Sequence, residues 1–457
     1  MKKKNPPLHK NQILDITISS LGPKGDGIAF IGTKKVIIPN TLPNERVTIK
    51  LIKLKRHHIY AKCLQIKQPS PHRQEPVCPV SSQCGGCESL HVTIPHQLHL
   101  KWQSLLQKKN TFPSLTAITL KPIMAAEKPL FYRNKAQFIV KKNSDSDIAI
   151  GLYAKHSHRV INIDQCYIQH PLINQTLTVI KQWLHTTNLS FYNEDTHNGL
   201  IRHIVIRVAP ATKQVMVAVV STKKIALTCL IKQLEEQLFI TSILLNINPD
   251  QTDTILGHDT HCIWGKPTIT DQVGTIKTNL SLQSFAQSNA YQTNHLYNLI
   301  RYLAKKTPKA RLWDLYTGVG TIGLQLTAIF EHVIGIDESD SAIANAKQNA
   351  ILNKKENITF IRDDVTQYIK KETIKDTDTV IIDPPRKGCG PAFIELVTRY
   401  QPSAIIYVSC NPNTLWPELN EFITKGYDCH NVYPVDMFPQ TNHIECVTLL
   451  TRATVIK

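Results

Sequence analysis

The chain is short of acidic residues, has no apolar run long enough to cross a bilayer as a helix, and shows no repeat in its middle region. It carries 35 Asp or Glu against 53 Lys or Arg in 457 residues, a formal net charge of +18. Without a stretch of about 20 apolar residues, a helical membrane anchor within the sequence is excluded. The opening Met1-Lys2-Lys3-Lys4 is followed by Asn5, Pro6 and Pro7 instead of an apolar segment, so no secretory signal is expected and a cytoplasmic location is. In that compartment the 11 cysteines are not expected to form a disulfide framework, and metal binding or catalysis is the better use for some of them. The shortage of acid is sharpest at the start, where residues 1–67 hold 14 Lys or Arg against 3 Asp or Glu. Such a segment suits a polyanion, because phosphate backbones release counterions when a basic surface docks. A basic face that merely keeps the protein soluble is the plainer alternative.

The hydrophobic share of 42% and the length point to a globular protein of two to four domains. Residues 10–67 read as short alternating strands (13–19, 27–31, 36–39, 45–54, 59–66) joined by turns such as LGPKGDG at 21–27, the pattern of a small β-barrel. QPSPHRQEP at 68–76 reads as a linker. A helix is expected over 98–110, and strands over 136–141, 148–153, 201–208 and 215–220, giving a central α/β region. From about Thr307 the runs at 312–316, 333–336, 358–361, 380–382 and 404–408 alternate with helical stretches, so a doubly wound parallel sheet is expected. The division is 1–68, 69–300 and 301–457, and ligands in the last part should sit at the carboxyl ends of its strands.

Two groups of residues fall at such ends. DLYTGVG (314–320) places Gly318 and Gly320 between a strand and a helix, and Asp337 closes the next strand in VIGID. An acidic residue there accepts hydrogen bonds from ribose hydroxyls. Gly318, Gly320 and Gly323 have the G-x-G-x-x-G spacing of dinucleotide folds, so NAD is the competing reading, and S-adenosylmethionine, which has no phosphate to cradle, is the expected cofactor. Asp364 in FIRDDV can contact an adenine amino group or cap a helix. The second group is IIDPPRKG (381–388) and YVSCNP (407–412), which put Asp383, Arg386 and Cys410 on the same rim. A cysteine there suits methylation at carbon 5 of uracil: a thiolate adding at carbon 6 turns carbon 5 into an enolate carbon that attacks a methylsulfonium. A base must then remove the carbon 5 proton. Glu445, in MFPQTNHIECV, is assigned that task, with His443 as rival.

These motifs, with YRNKAQF (132–138), GLIRHIVIR (199–207) and SFAQSN (284–289), resemble the bacterial RNA uracil-5-methyltransferases, specifically the 23S ribosomal RNA branch. The resemblance covers most of the chain. It implies Cys410 as nucleophile, Glu445 as base, and Gln287, Tyr316, Asp337 and Asp383 as contacts to S-adenosylmethionine. It also implies a TRAM domain, an OB-like RNA-binding barrel, for residues 1–68, and a Rossmann-like methyltransferase domain for 301–457. Cys78, Cys84 and Cys87 in CPVSSQCGGC, with Cys166 in IDQCYI, suit zinc or an iron–sulfur cluster as four thiolates. The resemblance implies a 4Fe-4S cluster in the central region. Thr317, Asp337 and the sequence SFAQSN depart from the commoner family residues. The expected partner is 23S ribosomal RNA, with no membrane and a monomeric enzyme. A tRNA uridine-5-methyltransferase and a non-catalytic iron–sulfur RNA-binding protein are the alternatives. Arg133, Arg202 and Arg207 are candidates for phosphate contacts but suit surface or ion-paired roles equally well.

Overall fold

The computed structural model describes residues 8–22, 25–142, 147–155 and 157–453. They fall into two compact units, one from the chain up to Leu100 with Pro439–Asn442, the other from Lys101–Phe438 and the chain from His443 onward. Among the described residues no helix is long and apolar enough to cross a membrane.

The first unit is built on β1 (Ile13–Thr17), β2 (Ser20–Leu21), β3 (Gly27–Ile31), β4 (Lys34–Ile38), β5 (Arg46–Leu54) and β6 (His58–Gln68). Their order is β1-β5-β6-β4-β3-β2. Residues 13–21 therefore both begin and end the sheet, bending at Ile18 and Ser19. Alternation explains the inside: Val47, Ile49 and Leu51 of β5 are fully buried with Ile18, Val36, Ile38 and Ile59, while Arg46, Thr48 and Lys50 face outward. Glu45, buried at this end, is held by Arg73, whose Nε lies 2.5 Å from its carboxylate.

After α1 (Ile94–Lys109) and β7 (Thr119–Leu120), the described residues of the second unit form two large sheets and a two-stranded one. The first uses β8 (Lys135–Lys142), β9 (Ile148–Tyr153), β10 (Val160–Asn162), α2 (Pro171–Thr186), β11 (Ile201–Ala209), β12 (Gln214–Ser221), α3 (Thr228–Glu235), β13 (Ile240–Ile247) and β14 (Asp259–Gly265). Its strand order is β10-β9-β8-β11-β12-β13-β14. α2 starts on Pro171, whose missing N–H costs nothing at that position, and it buries Ile173, Leu177, Ile180 and Leu184 at helical spacing against one face. The other face, Val205, Met216 and Ala218, packs on Leu280, Leu282 and Val319, which ties this sheet to the glycine turn. A hairpin of β15 (Ile269–Val273) and β16 (Ile276–Leu280) and helix α4 (Ala290–Ala304) follow.

The last sheet comprises β17 (Arg311–Leu315), α5 (Thr321–Leu326), β18 (His332–Asp337), α6 (Asp340–Leu352), β19 (Ile358–Arg362), α7 (Val365–Lys371), β20 (Thr379–Ile382), α8 (Pro391–Arg399), β21 (Ala404–Ser409), α9 (Pro412–Thr424), β22 (Tyr427–Val435) and β23 (Glu445–Arg452). The order is β19-β18-β17-β20-β21-β23-β22-β7. The strands β17 to β21 are parallel and each feeds a helix, β22 and β7 run in the same sense, and β20 and β21 are buried along their whole length, as central strands covered on both faces must be. The sheet is not parallel throughout, as the sequence suggested. β23 runs antiparallel to both neighbours, because the nine residues from Asp436 to Ile444 that join it to β22 are too few for a crossover.

Candidate active site

β17, β20 and β21 end on one rim, with Leu315 beside Ile382 and Ile382 beside Tyr407. Tyr316, Asp383 and Cys410 leave those ends. β23 approaches from the opposite direction, its Cys446 paired with Ser409. Its first residue, Glu445, enters the sheet one position before that last pair, Cys410 leaves β21 one position after it, and the Glu445 carboxyl acts on the Cys410 thiol. Asn411 caps α9 and its Nδ2 donates to the Arg386 carbonyl at 2.9 Å, so the loops that follow β20 and β21 are tied together.

This is an acid-rich, water-poor rim. Burial, then Glu445 and Asp383, push the Cys410 thiol up to about 11, and the Arg386 guanidinium is the charged neighbour that pulls the other way. Burial and Asp383 hold the Glu445 carboxyl well above the usual range. Burial and then Asp314 raise Asp383 as well. A carboxylate with a raised pKa is the stronger proton acceptor once ionised, which is what removal of a carbon-bound proton requires. His443 is different. Burial, then Arg386, Lys101 and Arg133, lower it to about 4, and its Nδ1 accepts a hydrogen bond from the Arg386 guanidinium at 3.0 Å. With that lone pair engaged, His443 is badly placed to take a proton.

The glycine turn is organised by a residue the sequence reading passed over. Asp314, almost fully buried, accepts from Thr317 Oγ1 at 2.6 Å and from the Gly323 amide at 2.9 Å. Burial lifts it to about 6, against the pull of those two hydrogen bonds. Its only sequence signal was its place before Tyr316 in the same motif. Gly320 has φ +80°, and a Cβ there would stand 2.5 Å from the Phe360 ring, so only glycine fits. Open space lies in front of Gly318, whose amide donates to Asp337 Oδ2 at 2.9 Å. Tyr316, half-buried at φ +65°, stands against the Phe393 ring. Asp364 is exposed and caps α7, accepting from the Gln367 amide at 2.9 Å. The cap engages Oδ1 of this exposed side chain.

Gln287 enters from another part of the unit. Its carbonyl accepts from Asn134 Nδ2 at 3.1 Å, and the Asn134 amide donates to Ser288 at 2.9 Å. Asn289, fully buried, caps α4 and donates to the Met437 carbonyl at 3.1 Å. YRNKAQF, SFAQSN and the start of MFPQTNHIE thus converge because two asparagines stitch them together. Phe285 is left 68% exposed on that loop.

Arg202 and Arg207 are not surface residues. Both are buried, and their guanidinium groups serve backbone carbonyls: Arg202 those of Asn248, Asp250 and Thr252, Arg207 those of Ser281 and Ser284. Burial of Arg207 makes these bonds expensive to lose. Cys78, Cys84 and Cys87 lie in the first unit and Cys166 in the second. Among the described residues no group of three or more Cys, His, Asp or Glu is gathered so as to hold a metal ion.

The description tRNA (uracil-5-)-methyltransferase matches residues 96–453, and TRAM domain matches residues 7–64. Uncharacterized RNA methyltransferases of Halalkalibacterium halodurans and Oceanobacillus iheyensis are 35% and 36% identical, over 98% and 99% of this chain and 99% of each of theirs. The chain belongs to the tRNA (uracil-5-)-methyltransferase family. Family membership makes it a methyltransferase with an amino-terminal TRAM domain. Its fold is also that of the Pyrococcus abyssi tRNA (uracil-54, C5)-methyltransferase, solved with S-adenosyl-L-homocysteine, at a TM-score of 0.77 and 24% identity over 96% of this chain and 99% of that one. Beyond Asp314, the family reading of the motifs had overlooked Asn134, Asn289 and Asn411. Each is an asparagine that joins two motifs, and an asparagine gives no sign in sequence of which distant carbonyl it will meet.

Proposed function

We propose that this chain transfers the methyl group of S-adenosylmethionine to carbon 5 of a uridine in RNA through a transient bond between Cys410 and carbon 6 of the base. One observation carries the reading: the last β21–β23 pair, Ser409–Cys446, brings Cys410 and Glu445 to one end of the sheet, where Glu445 and Asp383 both act on the thiol. The open space at Gly318, the half-buried Tyr316 and the carboxylates Asp337 and Asp383 fit the cofactor, with Gln287 and Asp364 as further contacts. When bound, S-adenosylmethionine supplies an electrophilic methyl group. Cys410 adds to carbon 6 and makes carbon 5 nucleophilic. Arg386 favours the thiolate. Glu445 takes the carbon 5 proton, the ring electrons return, and the carbon–sulfur bond breaks to release Cys410. Asp383 keeps the base strong by sitting beside it. The test is Cys410→Ala, which should make no 5-methyluridine, together with Glu445→Gln, which should accumulate a covalent protein–RNA adduct. Undiminished product from Cys410→Ala would refute the reading.

For the substrate we favour a uridine of 23S ribosomal RNA, supported by the basic first 67 residues, the TRAM domain and the cysteine segment. The full-length likeness to a tRNA enzyme supports a transfer RNA uridine as the second reading. Mapping 5-methyluridine in both RNAs, with and without the gene, decides between them. The 4Fe-4S cluster rests on the donor set alone: three thiols between residues 78 and 87 with Cys166 as a fourth, and the Gly86 amide donating to Cys84 Sγ at 3.4 Å. Iron and sulfide in protein purified without oxygen would support it; bound zinc, or no metal, would refute it.

A further inference from the structure

Glu418 lies in α9, eight residues after Cys410, yet its side chain serves the other rim loop. It is 6% exposed. Its Oε1 accepts from the amides of Cys389 at 2.8 Å and Gly390 at 3.0 Å, and its Oε2 accepts from the Tyr407 hydroxyl. Gly388 makes room for it: at φ +79°, a Cβ there would stand 2.2 Å from Oε1. The two amides precede α8, whose N-cap is Gly390 and so has no side chain to offer. Glu418 provides the missing acceptor from another helix, with a charge that suits the positive end of α8.

The loop from Asp383 to Gly390 is thereby held at three points. The Asp383 amide meets the Leu315 carbonyl at 3.5 Å, the Arg386 carbonyl receives Asn411 Nδ2, and Glu418 holds the far end. Two of these anchors belong to the segment that follows Cys410 directly. A buried carboxyl group is costly unless its oxygens are well supplied with donors, and here they are. Asp383 and Arg386, the two loop residues whose charges act on the Cys410 sulfur, are themselves two of the three held points, and Glu418 fixes the end beyond them.

We propose that Glu418 is a positioning residue for Cys410: by fixing Cys389 and Gly390 it sets the loop so that the Arg386 cation stands where it favours the thiolate. The catalytic meaning of this rests on Cys410 being the nucleophile, but the effect on the thiol can be measured without RNA. A residue that only capped α8 would alter melting and leave the sulfur as it was.

The experiment uses the full chain as Glu418→Gln, Glu418→Asp and Tyr407→Phe. The pH dependence of Cys410 alkylation by iodoacetamide is followed by mass spectrometry on its peptide, beside kcat and KM for RNA. Glu418→Gln should slow alkylation at pH 8 about tenfold, the factor that one unit of thiol pKa represents, and lower kcat comparably with KM nearly unchanged. Glu418→Asp, with the charge on a shorter arm, should fall between it and the wild type. Tyr407→Phe leaves both Oε1 contacts and should keep the wild-type alkylation profile. An unchanged profile in folded Glu418→Gln overturns the proposal, and Glu418→Asp takes its place if Gln does not fold. An equal shift in Tyr407→Phe overturns it too, because destabilisation alone would then explain the effect. A wild-type protein that alkylates normally but never forms an RNA adduct would refute the uracil chemistry and leave this comparison standing.

Discussion

Lys101 and Asp436 give the most demanding test of how the rim is supported. Their charges meet at 2.6 Å with side chains only 4% and 3% exposed, and the Lys101 ammonium also donates to the Phe438 carbonyl at 3.1 Å. Asp436 follows β22 and opens the segment that leads to Glu445. Replacing lysine by methionine keeps the apolar stem and strands a buried carboxylate, which costs about 3–5 kcal/mol. All five tryptophans lie between residues 102 and 416, so their fluorescence reports the second unit. With an m-value of about 3 kcal/mol/M in urea, the midpoint of Lys101→Met should fall by roughly 1 M or more. Adding Asp436→Asn removes the stranded charge and should recover most of that loss. The reasoning is refuted if the single variant moves the midpoint by under about 0.3 M, the equivalent of roughly 1 kcal/mol at that slope, or if the double variant is no better than the single.

Three further outcomes follow. Arg207→Lys keeps the charge but cannot span the carbonyls of Ser281 and Ser284, so it should lose about 1–3 kcal/mol of stability. The salt dependence of RNA binding should keep its slope; a slope lower by about 1 would show that Arg207 touches a phosphate after all. His203, lowered to about 4 mainly by burial, binds its proton less tightly than an unfolded histidine does, so its contribution is present at pH 7 and is lost as pH falls from about 6.5 towards 4. Urea midpoints for wild type and His203→Gln should therefore converge at pH 4.5 relative to pH 7, and a constant gap would contradict this. His443→Ala should build up no covalent adduct on a gel with RNA substrate, because its Nδ1 lone pair is already engaged by Arg386. Adduct trapping in that variant would move the base from Glu445 to His443.

Much of the architecture was legible because burial writes a period into strands. β5, β8 and β20 show alternating or continuous apolar runs that follow from one or two covered faces. The reversed direction of β23 was not legible, since a strand's residues do not encode the sense of its neighbours. The rim residues could be found because Cys410, Asp383 and Glu445 sit in unusual local contexts such as DPPRKG and SCNP. Glu418 could not be found that way. It looks like one more acid on a helix, and its partners at Cys389 and Gly390 are nearly thirty positions earlier. Arg202 and Arg207 misled for a related reason: sequence gives their charge but not the carbonyls that surround it. Asp364 had two readings in sequence, and the α7 cap is the one that local geometry supplies.

The Ser409–Cys446 pairing has a mechanical corollary. Distances across a hydrogen-bonded ladder stay nearly constant because stretching one rung means breaking it. Glu445 enters and Cys410 leaves the sheet on either side of that last rung, so the backbone lattice sets where sulfur and proton acceptor start from. An incoming nucleotide therefore meets a stiff chemical floor and has to fit itself to it.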